Sequence, residues 1–224
     1  MSPSWICLGL AVPLLVGQLY ARFTEQKQAE ALSKTFCSAL FLLVAFLEVK
    51  GEHTGYSIWV AVGLALSVLG DVFMIGTQRR WLGLGLSAFL LAHVAYLIAA
   101  LPLVSLAYVS PFGLVLTTAG VLVAGLATLG VIGPHLGRLR IPCYLYFAAL
   151  GLMTIVAVTA WLTEPWQTGR GLLALGAILF LLSDIAVALQ RFLGADFRTR
   201  LWGLPCYYAA QFLFAFSVSR TTGW

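Results

Sequence analysis

The segment LFLLSDIAVALQRF (179–192) carries one carboxylate, Asp184, in an otherwise apolar run, and LSVLGDVFMIGTQRR (66–80) does the same with Asp71. Asp71 precedes Arg79 by eight residues and Asp184 precedes Arg191 by seven. At about 1.5 Å per helical residue, both carboxylates lie roughly 10–12 Å below a basic rim. A charge facing hydrocarbon at that depth costs on the order of 3 kcal/mol or more, so both are expected to face a bundle interior or a water-filled cavity. No Lys or Arg is expected well inside any span, so a buried ion pair is not expected to neutralise them. Two carboxylates in such a site divide into one proton donor and one acceptor, which is what acid–base chemistry on a neutral substrate needs. Polar groups expected at similar depth are Tyr144 and Tyr146, Ser183 beside Asp184, and Tyr207, Tyr208 and Gln211. His93 is expected deeper than the aspartates, in a helix-packing hydrogen bond.

The elements that position these residues follow from composition. Of 224 residues, 61% are hydrophobic and 9% charged, against about 25% charged in a soluble domain. Apolar runs of membrane-crossing length recur throughout, and only helices leave no backbone group unsatisfied in lipid. The expected fold is an all-α integral membrane protein, a single unit over 1–224. Its eight transmembrane helices fall at about 4–20, 35–49, 57–75, 81–101, 110–133, 141–162, 171–189 and 202–219. Ten Lys and Arg residues fall in the loops of one side and three (Lys50, Arg170, Arg220) on the other. By the positive-inside rule both termini are then lumenal or exoplasmic. The net charge of +5 records that orientation and does not indicate nucleic-acid binding. The N-terminus lacks a basic region before its apolar run and is expected to be a first span, not a cleaved signal. Cys7, Cys37, Cys143 and Cys206 have neither CxxC nor His spacing and are expected to act as buried apolar residues; no metal site is expected.

GDVFMIGTQRRW (70–81) and SDIAVALQRF (183–192) place an Asp at similar distance before an Arg. Spans three and seven run in the same direction, which suggests a parallel four-plus-four duplication. LGDVFM (69–74), SAFLLAHVAY (87–96), GAILFLLSD (176–184), PCYLY (142–146) with Met153, and YYAAQFL (207–213) closely resemble the lysoplasmalogenase family, the YhhN-like transmembrane proteins. The resemblance covers about residues 34–216 and departs from the family at Lys34-Thr35, where Lys-Pro is the pattern. It implies an eight-helix hydrolase cleaving the vinyl ether bond of lysoplasmalogens to a fatty aldehyde and glycerophosphoethanolamine or glycerophosphocholine, with Asp71 and Asp184 as the catalytic pair. It also suggests an endoplasmic reticulum membrane location and makes Lys34 and His93 supporting residues.

A vinyl ether is hydrolysed by protonating its β-carbon, and water captures the resulting oxocarbenium ion. Two carboxylates suit this as they suit glycoside hydrolysis, and no cofactor is required. Tyr146, Ser183, Tyr208 and Gln211 are expected to position the carboxylates, water or glycerol hydroxyl, with Arg79 and Arg191 at the lipid phosphate. The substrate is then a lysophospholipid entering from the cytoplasmic leaflet of the bilayer. A homodimer is compatible with small-residue faces, but no spacing demands one. An intramembrane aspartyl protease fits poorly, because Asp184 follows Ser183 and no Pro-Ala-Leu segment exists. A proton-coupled transporter using both aspartates as a relay is the alternative from another class.

Overall fold

A computed structural model describes residues 2–49, 54–76 and 78–221, the side chains of Arg79 and Leu106 excepted. Eight long helices follow one another: α1 (Pro3–Phe23), α2 (Lys27–Glu48), α3 (Gly55–Ile75), α4 (Arg79–Ala100), α5 (Pro111–Ile132), α6 (Arg140–Thr163), α7 (Thr168–Leu193) and α8 (Arg198–Ser217). Short 3₁₀ turns link α4 to α5 and α5 to α6, and there is no strand among the described residues. Each expected span overlaps one of these helices. Seven are long and apolar enough to cross a membrane, and the chain is a multi-pass membrane protein. The eighth, α8, is less apolar because Arg198, Arg200, Tyr207, Tyr208 and Gln211 lie on it.

Local sequence sets the helix ends. Pro3 and Pro111 occupy first-turn positions, where a missing N–H costs nothing. Thr54 and Ser57 form a capping box at the start of α3. Gly194 ends α7 in the left-handed region, with φ 65°.

The largest correction concerns α2. The apolar run suggests a span from about residue 35, but the helix begins at Lys27. Lys27, Gln28, Ala29, Glu30 and Ala31 are all good helix formers, so the helix continues where apolarity stops. Lys34 therefore sits inside a helix, contrary to the expectation that no cation does.

The molecule is apolar outside and encloses a set of polar groups within a largely apolar core. Leu10, Val16, Phe36, Phe46, Leu122, Val123 and Leu126 are exposed, whereas Gln18, Ser38, Asp71, His93, Ser183 and Gln211 are buried. That inversion suits a lipid solvent, since polar groups must find partners inside the bundle. α1 packs on α2, α3 on α4 and α7 on α8; α2 also meets α3 and α8, and α6 meets α4 and α7. α5 lies outermost, against α6 and α7.

Several close approaches depend on glycine, two of them at matching places on α3 and α7. A Cβ on Gly63 would lie 2.3 Å from the Tyr96 ring, and one on Gly176 would lie 2.6 Å from the Phe214 ring. Tyr96 is fully buried and hydrogen-bonded to Gln211 at 2.9 Å, so it cannot swing aside freely. Gly63→Ala should therefore lower the stability of the bundle by about 1–3 kcal/mol, read as an earlier thermal unfolding midpoint in detergent. An unchanged midpoint would show that α3 and α4 can separate without cost.

One end of the bundle is closed by polar contacts. Tyr56 shares a 2.6 Å hydrogen bond with Ser217, Arg220 reaches Glu48 at 3.3 Å, and the Gly169 N–H donates to the Arg220 carbonyl at 3.1 Å. Buried Arg170 donates to the Leu103 carbonyl at 2.6 Å and lies 3.2 Å from Glu164. At the opposite end, the α1–α2 and α7–α8 turns border a cleft of about 580 Å³.

Candidate active site

Asp71, on α3, has both oxygens engaged. The Lys34 Nζ on α2 lies 3.1 Å from Oδ1. Ser38, one turn further along α2, donates to Oδ2 at 2.6 Å, and Tyr207 of α8 donates to the same oxygen at 2.6 Å. Lys34 and Ser38 are four residues apart, which puts both on the face of α2 turned to α3. The Asp71 side chain is only 3% exposed. An ammonium at this distance in so dry a place stabilises a carboxylate charge far more than it would in water.

Asp184, on α7, is held differently. The Tyr146 hydroxyl of α6 donates to Oδ2 at 2.7 Å, and His93 Nε2 of α4 lies 3.3 Å from that same atom. The His93 contact has ion-pair distance without hydrogen-bond alignment, and Nδ1 of this fully buried ring has no partner among the described residues. Oδ1 of Asp184 has no hydrogen-bond partner among the described residues, and the side chain is 11% exposed. One carboxylate is thus fully committed and the other keeps an oxygen open.

His93 corrects a second expectation, since it meets Asp184 and does not lie beyond it. Counting residues from a basic rim treats helices as upright and flush, whereas tilted, staggered helices bring different counts to one level. His93 sits between Tyr146, at 5.1 Å, and Phe180, at 4.8 Å between ring centroids. Phe180 in turn stands edge-on to Tyr207 at 5.6 Å. An aromatic column, Tyr207–Phe180–His93, therefore joins the surroundings of the two acids.

The other sequence-selected residues fall around this centre. Tyr208 donates to Gln18 of α1 at 2.8 Å, and Gln211 accepts from Tyr96; neither bonds a carboxylate. Ser183 is buried and has no hydrogen bond to either acid among the described residues. Arg191 is exposed at the end of α7, and the side chain of Arg79 lies outside the described residues. The tyrosine on Asp71 is Tyr207, not the Tyr208 selected from sequence. No sequence signal separates the two, since Tyr207 and Tyr208 stand at i−4 and i−3 from Gln211 and both spacings share a helix face. Among the described residues no group of three or more His, Cys, Asp and Glu side chains is arranged to hold a metal ion.

The difference between these hydroxyls is testable. Tyr146→Phe removes a donor from the open carboxyl and should cost about 10-fold or more in turnover, whereas Tyr208→Phe should cost less than a third of that. Equal losses in kcat would deny Tyr146 its place on Asp184.

Comparison with known proteins gives the same residues a context. The lysoplasmalogenase of Mycobacterium tuberculosis is 33% identical over 165 residues, 72% of this chain and 60% of that protein. Lysoplasmalogenase TMEM86B of Sus scrofa is 31% identical over 189 residues, covering 83% and 74%. Lysoplasmalogenase TMEM86A of Homo sapiens is 30% identical over 190 residues, covering 81% and 73%. The match thus spans about 60% of the mycobacterial relative's length. No solved structure matches significantly. The YhhN family matches residues 29–218, a stretch that holds Lys34, Asp71, His93, Tyr146, Asp184 and Tyr207, and the chain belongs to that family.

Proposed function

We propose that this protein hydrolyses the vinyl ether bond of single-chain alkenyl glycerophospholipids, releasing a fatty aldehyde and the glycerophospho-headgroup. The relatives named lysoplasmalogenase support the substrate class. The observation that carries the chemistry is the inequality of the two aspartates. Asp184 accepts the Tyr146 hydroxyl on Oδ2 with His93 beside it, so a proton on the carboxyl belongs on the open Oδ1. From there it passes to the β-carbon of the alkenyl chain, and the former C=C electron pair forms the new C–H bond. The ether oxygen then shares the positive charge of an oxocarbenium ion. Water adds to the α-carbon, the one bonded to the ether oxygen, and returns a proton to Asp184. The hemiacetal then collapses to aldehyde and glycerol hydroxyl. Asp71, paired with Lys34, lowers the energy of the cation through the field at the site and aims the Tyr207 ring. The faces of Tyr207 and Phe180 add cation–π attraction.

The same reading places all eight helices across an endoplasmic reticulum membrane, with the site opening to the cytoplasm and residues 1–224 acting as one unit. The polar seal between Glu48, Tyr56, Ser217 and Arg220 at the other end supports that sidedness. A four-plus-four duplication is supported by the pattern of partners. Asp71 on α3 is held from α2 and α8, and Asp184 on α7 from α6 and α4. These are corresponding helices, with the fourth exchanged between halves. Gly63 and Gly176 each precede their aspartate by eight residues. Nothing favours transport: α3 and α7 run unbroken through both aspartates.

The test is aldehyde release from a 1-alkenyl lysophospholipid by purified protein in detergent, with the ester-linked lysolipid of equal chain length as control. Aldehyde from the alkenyl lipid alone supports the reading. None from well-folded protein overturns it.

A further inference from the structure

The cleft at the open end of the bundle is built from both halves of the chain. Arg22 and Phe23 close α1, Glu25 lies in the turn, Lys27 and Glu30 begin α2, and Phe197 and Arg200 come from the start of α8. One carboxylate spans two guanidinium groups: Glu30 Oε2 lies 3.2 Å from Arg22, and Oε1 lies 3.6 Å from Arg200. Two cations thus share one anion. Arg22 and Arg191 present like charges to Arg200, and Glu30 offsets them. A second anion between the arginines relieves that repulsion, and the planar guanidinium fork suits phosphate oxygens. The Phe23 and Phe197 rings meet at 5.4 Å on the wall of the same cleft. With Glu25 nearby, they offer an aromatic and acidic surface to an ammonium group.

One helix carries both a wall of the cleft and the partners of Asp71. Lys27, Glu30, Lys34 and Ser38 follow each other at helical spacing along α2. Glu30 is thus one turn, about 6 Å of rise, from the lysine that holds Asp71. A glycerol unit covers a comparable distance between its phosphate and its C1 ether oxygen.

We propose that this cleft is the headgroup site of the enzyme, taking the phosphate of a zwitterionic single-chain phospholipid between Arg22 and Arg200 and its ammonium over Phe23, Phe197 and Glu25. The assignment rests on the hydrolase reading for the identity of the lipid. It makes the headgroup a part of recognition, and it places recognition on the α1–α2 and α7–α8 turns, not on Arg79 and Arg191 alone.

The experiment measures binding of a 1-O-alkyl lysophosphatidylethanolamine, whose saturated ether cannot be cleaved, to the full chain in detergent. Arg22→Gln/Arg200→Gln should weaken binding about 10-fold or more. Glu30→Gln removes the competing anion and should tighten it about three-fold. Opposite signs cannot come from general misfolding. Unchanged affinity in the double variant, or weaker binding in Glu30→Gln, overturns the assignment. A competition arm separates the sources of phosphate. Glycerophosphoethanolamine should displace the lipid at lower concentration than inorganic phosphate, and equal potency would reduce the cleft to a bare phosphate site and overturn the headgroup proposal. Because the probe is not hydrolysed, the result stands apart from the vinyl ether reading. Aldehyde release with unaltered lipid affinity in the double variant removes the cleft alone, while binding without aldehyde release removes the hydrolase alone.

Discussion

Asp184→Asn is expected to lower aldehyde release by about 10³-fold while leaving the fold intact. Asparagine has nearly the same shape, and its carbonyl oxygen can still accept from Tyr146 as Oδ2 does now at 2.7 Å. What it cannot do is surrender a proton to carbon, and proton transfer to carbon is the slow step of vinyl ether hydrolysis. The loss should therefore fall on kcat, with lipid affinity retained, because in the proposed mechanism the acid meets the substrate only at the reacting bond. Asp184→Glu keeps the acid but moves it by a methylene in a site packed by His93, Phe180 and Tyr146, so partial activity is expected. The assay is initial aldehyde release at saturating lipid, beside a thermal melt of each variant. If Asp184→Asn kept more than a tenth of wild-type turnover, the acid would have to be sought elsewhere and Asp71 would be next.

Much of this arrangement is legible in the residues themselves. The two aspartates stand out because an acid in an apolar run needs a reason, and apolar runs mark the helices, seven of them by length and apolarity and α8 more weakly. Other parts depend on three-dimensional offsets that a one-dimensional count lacks. Lys34 is hidden because apolarity ends before the helix does, so a lysine at the edge of the apolar run sits two turns inside α2. Its long stem carries the charge inward to Asp71, the reverse of the usual outward reach of lysine in membranes. His93 is misjudged because depth along one helix is not depth in the bundle. Between Tyr207 and Tyr208, helix phase does not choose, since both share a face with Gln211; the packing of α8 against α2 and α3 does. The packing of α8 on α2 and of α4 on α6 has no sequence signature at all.

The second large effect lies at the ion pair. Lys34→Met should destabilise the protein by about 3–5 kcal/mol, because it leaves Asp71 charged in a place only 3% exposed. Asp71→Leu strands the Lys34 ammonium in the same way and also removes the acceptor of Ser38 and Tyr207. The double variant Lys34→Met/Asp71→Leu removes both charges, and buried ion pairs replaced by apolar residues of similar size are often neutral or stabilising. Its stability should therefore recover most of what either single variant loses, in a denaturant or thermal titration of the detergent-solubilised protein. Activity separates the two roles of the pair. A merely structural ion pair predicts a stable and active double variant. A fixed anion that stabilises the oxocarbenium ion and orients Tyr207 predicts a stable variant whose kcat stays low, by about 10²-fold. The latter is expected, because two cation-stabilising elements, the Asp71 charge and the ring it aims, depend on the same carboxylate.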